Sequence, residues 1–205
     1  YHFKEWKIDH YVYPEDFYKK NYIIPLSQQA AMGRSLILLY KLTGNDEYLN
    51  KASSLAELIK SSLQDNGKEG YILGQALPGK ITNKNKVVDI SHATTTIHFA
   101  YLAYKNNIVF NEEDMLKFTK TIKDLAQAND NHFPKYLDGT GNFDYEVTAG
   151  QYAFLAEFDR EVYDSIMDLL FNHLKIESTA KYMQEDWWGT VMLGLSRLAL
   201  YQSGL

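Results

Sequence analysis

Two kinds of helical segment alternate along this chain, and that alternation limits the folds open to it more than any other feature. The segment "SQQAAMGRSLILLYKLTG" (27–44) is apolar nearly all round after Met32 and stops at a glycine. It reads as a helix buried on every side, ended by a C-cap at Gly44. The next segment, "NDEYLNKASSLAELIKSSLQDNG", steps Tyr48, Ala52, Leu55, Ile59 and Leu63 by threes and fours, and its other face carries Asn50, Lys51, Ser54, Glu57 and Lys60. That is the signature of an outer helix with one wet side.

The couple recurs. Ile97, Phe99, Ala100, Tyr101, Leu102 and Tyr104 mark a second buried helix, followed by a one-sided stripe at Met115, Phe118, Ile122 and Leu125. "TAGQYAFLAEF" (148–158) is a third buried segment, followed by a stripe at Val162, Ile166, Leu169 and His173; "WWGTVMLGLSRLALY" (187–201) is a fourth. The expected fold is all-α: an α/α hairpin toroid, or an incomplete toroid arc, with about four inner helices near residues 27–43, 91–105, 147–158 and 187–203. With 205 residues, one domain spanning 1–205 accommodates it.

The links differ in length. Inner-to-outer turns are tight ("LTGND", "KNNIVFNEED", "FDRE"), whereas outer-to-inner links span 66–90, 129–146 and 175–186. Loops that long in a compact domain are often functional. Two of them, "EGYILGQALPGKITNKNKVVDI" and "PKYLDGTGNFDYEV", carry the Gly and Asn turns of small β-hairpins. If the inner helices run parallel, all the long links meet over their N-termini, where free N–H groups and the positive helix pole favour anionic ligands.

That end collects the candidate site. Asp89 and His92 open the second inner helix; Gln28 and Gln29 open the first. Tyr71, Gln75, Lys135, Tyr136, Tyr145 and Glu146 come from the long loops, and Glu185, Asp186, Trp187 and Trp188 precede or begin the last inner helix. Each also has a plain structural role to fill. Either Asp89 or Ser91 can serve as an ordinary N-cap, as can Asp186; the glutamines can satisfy backbone groups, and His98 sits where a satisfied core histidine belongs. Their concentration at one end raises the functional reading.

Charge and motif content exclude several classes. A net charge of −5, with no Lys/Arg cluster, argues against nucleic-acid binding. No apolar run is long enough to span a membrane. Without cysteine, thiol catalysis and disulfides are out. Asp138, Thr140, Asn142 and Asp144 mimic a calcium loop, but Phe143 and Ala149 occupy its required glycine and glutamate positions. A hairpin turn is the better reading, and no metal or cofactor is expected. Sixteen tyrosines and three tryptophans supply flat faces of the kind that stack on sugars.

Two stretches resemble a known group. "IPLSQQAAMGRSLILLYKLTGNDEYLNKASSLAELIK" is similar to the inner–outer hairpin of (α/α) toroid carbohydrate-active proteins of the D-glucuronyl C5-epimerase and polysaccharide lyase type. "DISHATTTIHFAYLAYKNNIVFNEEDM" is similar to the Asp-x-Ser-His-Ala helix of related bacterial toroid domains. The resemblance implies an oligo- or polysaccharide partner, acidic in character, and proton abstraction at a uronate C5. In that reading His92 is the base, oriented by Asp89, and Tyr145 or Tyr136 is the acid. Gln28 and Lys135 hold the carboxylate, while Trp187 and Trp188 stack on sugar rings. A glycoside hydrolase would instead draw its two carboxylates from Asp89, Glu146, Glu185 and Asp186, and a helical module that only binds a glycan or protein needs neither. The bacterial resemblance, together with a start at Tyr1 that reads as a processed product, implies a periplasmic or secreted protein.

Overall fold

A computed structural model of the chain describes residues 5–6, 10–12, 24–74, 87–176 and 188–203. Over these residues the protein is mostly helical, with only two-residue strands, so the all-α expectation holds. They form two compact units interleaved along the chain. The first comprises Tyr1–Gln64, Leu73–Val88 and Thr95–Glu112; the second comprises Asp65–Ile72, Asp89–Thr94 and Glu113–Leu205.

The first unit is built on the hairpin of α1 (Leu26–Thr43) and α2 (Asp46–Ser61). Gly44 ends α1 in the left-handed conformation, φ 67°, with its N–H on the Tyr40 carbonyl. Asn45 then caps α2 by accepting the Glu47 N–H at 2.9 Å. Two residues thus satisfy orphan groups of both helix ends and reverse the chain. Ala52, Leu55, Ala56 and Ile59 of α2 are fully buried, the face that the three–four spacing marks. Against α1 lies Phe99, from α3 (Ile90–Lys105). A Cβ at Gly33 would stand 2.5 Å from the Phe99 ring, so only glycine lets that ring rest on the helix backbone.

One expectation fails here. Helix α1 is not buried on every side: Leu38, Leu39 and Leu42 are exposed, Leu42 to 83%. All-round apolarity marks faces able to be buried, but α2 and Phe99 occupy only part of the circumference. In the same unit, Gly74 and Val87 form an antiparallel bridge, and Val88 N–H donates to the Leu73 carbonyl at 2.9 Å. These are the arms of the first expected β-hairpin; its tip, with Gln75, lies outside the described residues.

In the second unit α4 (Glu112–Gln127) buries Met115, Phe118, Ile122 and Leu125 on one face, as its stripe predicts. The segment expected as the third inner helix is a helix, but of 3₁₀ type, over Glu146–Glu157. Three residues per turn set Val147, Gly150, Ala153 and Ala156 in one buried line. Opposite it runs α6 (Trp188–Ser203), and the backbones meet at two glycines: a Cβ on Gly194 would lie 2.9 Å from the Gly150 Cα. Small side chains in register explain the close approach. Helix α6 also leaves Met192, Leu193 and Leu200 exposed, so it too is not apolar because it is enclosed.

Between them, α5 (Arg160–Met167) is capped by Asp159, which accepts the Glu161 N–H at 2.9 Å. It continues into a π-helical turn, Asp168–His173. The buried Val162, Ile166 and Leu169 follow the expected stripe. Among the described residues no helix is long and apolar enough to cross a membrane.

Candidate functional site

The site grows from the residue before α3. Asp89 is extended and bridged antiparallel to Tyr136, and the next N–H, that of Ile90, donates to the Lys135 carbonyl at 2.8 Å. The long loop after α4 is thereby tied to the start of α3 by backbone alone. From below, the fully buried Tyr152 donates its hydroxyl to the Ile90 carbonyl at 2.5 Å. Burial, and secondarily the Asp89 charge, push the Tyr152 phenol well above its usual range, so it stays a neutral donor.

With its backbone held on both sides, the Asp89 carboxylate does two jobs. Its Oδ1 accepts the His92 N–H at 3.0 Å and the Ser91 hydroxyl at 2.8 Å, which caps the helix. Its two oxygens also lie 2.8 and 3.0 Å from His92 Nδ1. Capping and histidine positioning, set out as alternatives from the residues, are performed by one side chain. Burial alone would raise the Asp89 carboxyl, but the hydrogen bonds from the His92 ring, the His92 N–H and Ser91 outweigh it and hold the group at about 2. The bond to Asp89 in turn raises the His92 imidazole above its ordinary value, against a smaller desolvation effect. Asp89 is only 14% exposed, whereas His92 is 55% exposed. With Nδ1 committed to the carboxylate, Nε2 is the nitrogen left for other chemistry.

Lys135 brings two more candidates in. Its ammonium sits 4.8 Å from the centre of the Tyr145 ring and 5.8 Å from that of Tyr136. The turn that places it is tight: Lys135 N–H reaches the Asn142 carbonyl at 2.7 Å, and Tyr136 N–H the Thr140 carbonyl at 3.1 Å. Gly141, at φ 92°, is required there, because a Cβ would fall 2.8 Å from that of Lys135. Asp138 accepts the Thr140 N–H and hydroxyl, and Asn142 donates to Asp144, so these side chains hold the turn together. Backbone pairing therefore sets the Asp89–His92 start of α3 beside the Lys135–Tyr136 turn, and Lys135 stands against Tyr145.

The remaining candidates have other contacts. The Tyr71 hydroxyl donates to Asp114 at 2.9 Å and its ring packs edge-on against Phe118, which fastens the loop after α2 to α4. Gln28 is exposed on α1 in the other unit, while its neighbour Gln29 is buried and satisfies the Tyr11 N–H, the Tyr11 carbonyl and the Ile24 carbonyl. His98 is half-buried, its ring stacked on Tyr101 at 6.2 Å. Trp188 begins α6; Glu185, Asp186 and Trp187 lie outside the described residues.

Glu146 turns to a partner that the sequence did not single out: its Oε2 lies 2.7 Å from His132 Nδ1. The His132 ring meets His173 edge-on at 4.5 Å, and His173 Nε2 donates to Asp168 at 3.0 Å. Asp168 also accepts from Asn131 and Asn172. Hydrogen bonds from Asn172 and Asn131, then His173, hold its carboxyl below the ordinary range. His132 and Glu146 are separated by the whole 135–142 turn, and Asp168 and His173 face each other only because the π turn brings positions five apart onto one side; neither spacing has a sequence signal. Among the described residues no group of three or more His, Asp or Glu is arranged to hold a metal ion. No protein-family model, curated protein or solved structure matches this chain.

Proposed function

We propose that this chain is a carbohydrate-active protein of the α/α-toroid type, its helical hairpins forming an arc, and that it acts on an acidic glycan by lyase- or epimerase-like proton abstraction at a uronate C5. The observation that carries the reading is the constellation at the start of α3. A carboxylate-anchored imidazole there shares a backbone ladder with a lysine set against two tyrosine rings.

The chemistry that this supports is specific. A uronate C5–H becomes acidic only when the adjacent carboxylate is neutralised, and Lys135 supplies that charge. Neutral His92 takes the C5 proton on Nε2 while Asp89 stabilises the imidazolium that forms. In elimination the electron pair from the C5–H bond makes the C4–C5 double bond. The C4–O bond breaks, and the Tyr145 hydroxyl protonates the departing oxygen. In epimerisation His92 keeps the proton it removed, the Tyr145 hydroxyl delivers a different proton to C5 from the opposite face, and no bond to oxygen breaks.

Incubation with polyuronates separates the outcomes. Elimination generates ultraviolet absorbance from the unsaturated uronate; epimerisation in deuterated water exchanges the C5 hydrogen without chain cleavage. Saturable binding with neither signal favours a non-catalytic glycan module, a reading that the high exposure of His92 also fits. Absence of both binding and turnover with millimolar acidic glycan overturns the proposal.

A further inference from the structure

We propose that a second ligand site, for a single neutral sugar residue, lies in the cleft between the C-terminal end of α4, the 66–72 turn and the 137–139 turn. The cleft encloses about 310 Å³, and none of Asp89, His92, Lys135, Tyr136 or Tyr145 lines it. This volume stands at the small end of ligand pockets, about 300–1,000 Å³, which suits a single ring rather than a chain.

Ile72, Leu125 and Leu137 give the cleft an apolar side, and two half-buried amides face it. Asn66 spends its Oδ1 on the Lys68 and Gly70 N–H groups, and Asn129 spends its Nδ2 on the Leu125 carbonyl. That leaves a donor, the Asn66 Nδ2, and an acceptor, the Asn129 Oδ1, with no hydrogen-bond partner among the described residues. A sugar hydroxyl both donates and accepts, and a pyranose has an apolar C–H face, so the two kinds of lining match one ligand.

The charges select against an ionic ligand. Lys68 and Asp138 stand at the exposed rim with opposite signs, and Asp124 is already neutralised by Lys120 at 2.8 Å. Charges of both signs thus line the cleft, so an acidic or basic sugar gains little over a neutral one. The site therefore differs in charge preference from the Lys135 constellation and does not rest on the acidic-glycan reading.

Amide NMR of the full chain, titrated with methyl glucoside, methyl galactoside, cellobiose, glucuronate and glycine, tests the site. The expected result is saturable shifts at Ile72, Asn129, Leu137 and Gly139 with at least one neutral sugar. Ala128→Trp, which adds an indole beside the cleft without removing a hydrogen-bonding side chain, abolishes them; Ala128→Gln is the smaller block should the indole disturb folding. His92→Gln leaves them intact, which separates this site from the proposed reaction. Shifts with none of the neutral sugars, shifts that persist in both blocked variants, or saturation by glucuronate or glycine alone would each overturn the proposal.

Discussion

His92 Nδ1 lies within 3.0 Å of both carboxylate oxygens of Asp89, and the Oδ1 of that same carboxylate accepts the His92 backbone N–H. A helix cap and a histidine anchor are thus one group, and substitutions at its two members separate the roles. Asp89→Asn retains an acceptor for the cap but loses the charge that polarises the imidazole. His92→Gln keeps the cap and loses the base. We predict that His92→Gln lowers turnover on acidic glycan ~10²-fold or more, with a stability loss of only about 0.5–1 kcal/mol, read by urea denaturation. Equal turnover in wild type and His92→Gln would remove His92 from the chemistry.

The titration of the pair sets two pH dependences of opposite sign. Asp89 is held at about 2 in the folded protein, below the ordinary 3.8. Its stabilisation is therefore fully present above the ordinary value and is lost as pH falls through the folded one. The difference corresponds to at most about 2.5 kcal/mol, and to less for a group partly open to solvent. Urea midpoints measured from neutral pH downward should fall more steeply below about pH 4 in wild type than in Asp89→Asn.

His92 moves the other way. Its folded value is raised, so its contribution to stability is complete below the unfolded value and disappears as pH rises through the folded one. The neutral imidazole that the proposed reaction requires appears over that same upper window. Turnover should therefore climb with pH to a midpoint above the ordinary histidine value of about 6.5, and Asp89→Asn should shift that midpoint downward. A pH–rate profile in both proteins checks the direction, and an unchanged midpoint would break the assigned coupling.

Packing supplies an independent prediction. A methyl group at Gly33 would stand 2.5 and 2.6 Å from Phe99 ring atoms. Gly33→Ala should destabilise the protein by ~1–3 kcal/mol through overpacking, and Phe99→Leu in the same chain should recover part of that loss. If Gly33→Ala unfolds at the wild-type urea concentration, the α1–Phe99 contact is not as close as described.

These contacts also show where sequence reading succeeds. Ala52, Leu55 and Ile59, like Phe118 and Ile122, are buried because a three–four period admits only one core-facing side. The Asp89–His92 pair was legible because an i, i+3 spacing at a helix start forces proximity. Leu38 and Leu42 misled, since apolar character records what a face tolerates and not whether another element reaches it. The 3₁₀ form of Glu146–Glu157 was hidden for a related reason: Gly150 packs on Gly194, 44 positions away, and no local propensity encodes that meeting. His132 finds Glu146 across a complete turn, so the pairing depends on how the 135–142 loop closes.

Lys135 offers the sharpest test of ligand charge. Its ammonium rests near two tyrosine rings, at 4.8 Å from Tyr145 and 5.8 Å from Tyr136, and forms no ion pair among the described residues. Cation–π contacts of this kind position a charge without neutralising it, and the ammonium keeps its attraction for an incoming carboxylate. Lys135→Gln should weaken binding of an acidic oligosaccharide by about 5- to 30-fold, the equivalent of ~1–2 kcal/mol. Lys135→Arg, which retains the charge and stacks on aromatic faces, should lose much less. The wild-type affinity should also fall as salt rises, and that slope should flatten in Lys135→Gln. Calorimetry at two ionic strengths measures both quantities; equal salt slopes in the two proteins would show that Lys135 does not meet the glycan's charge.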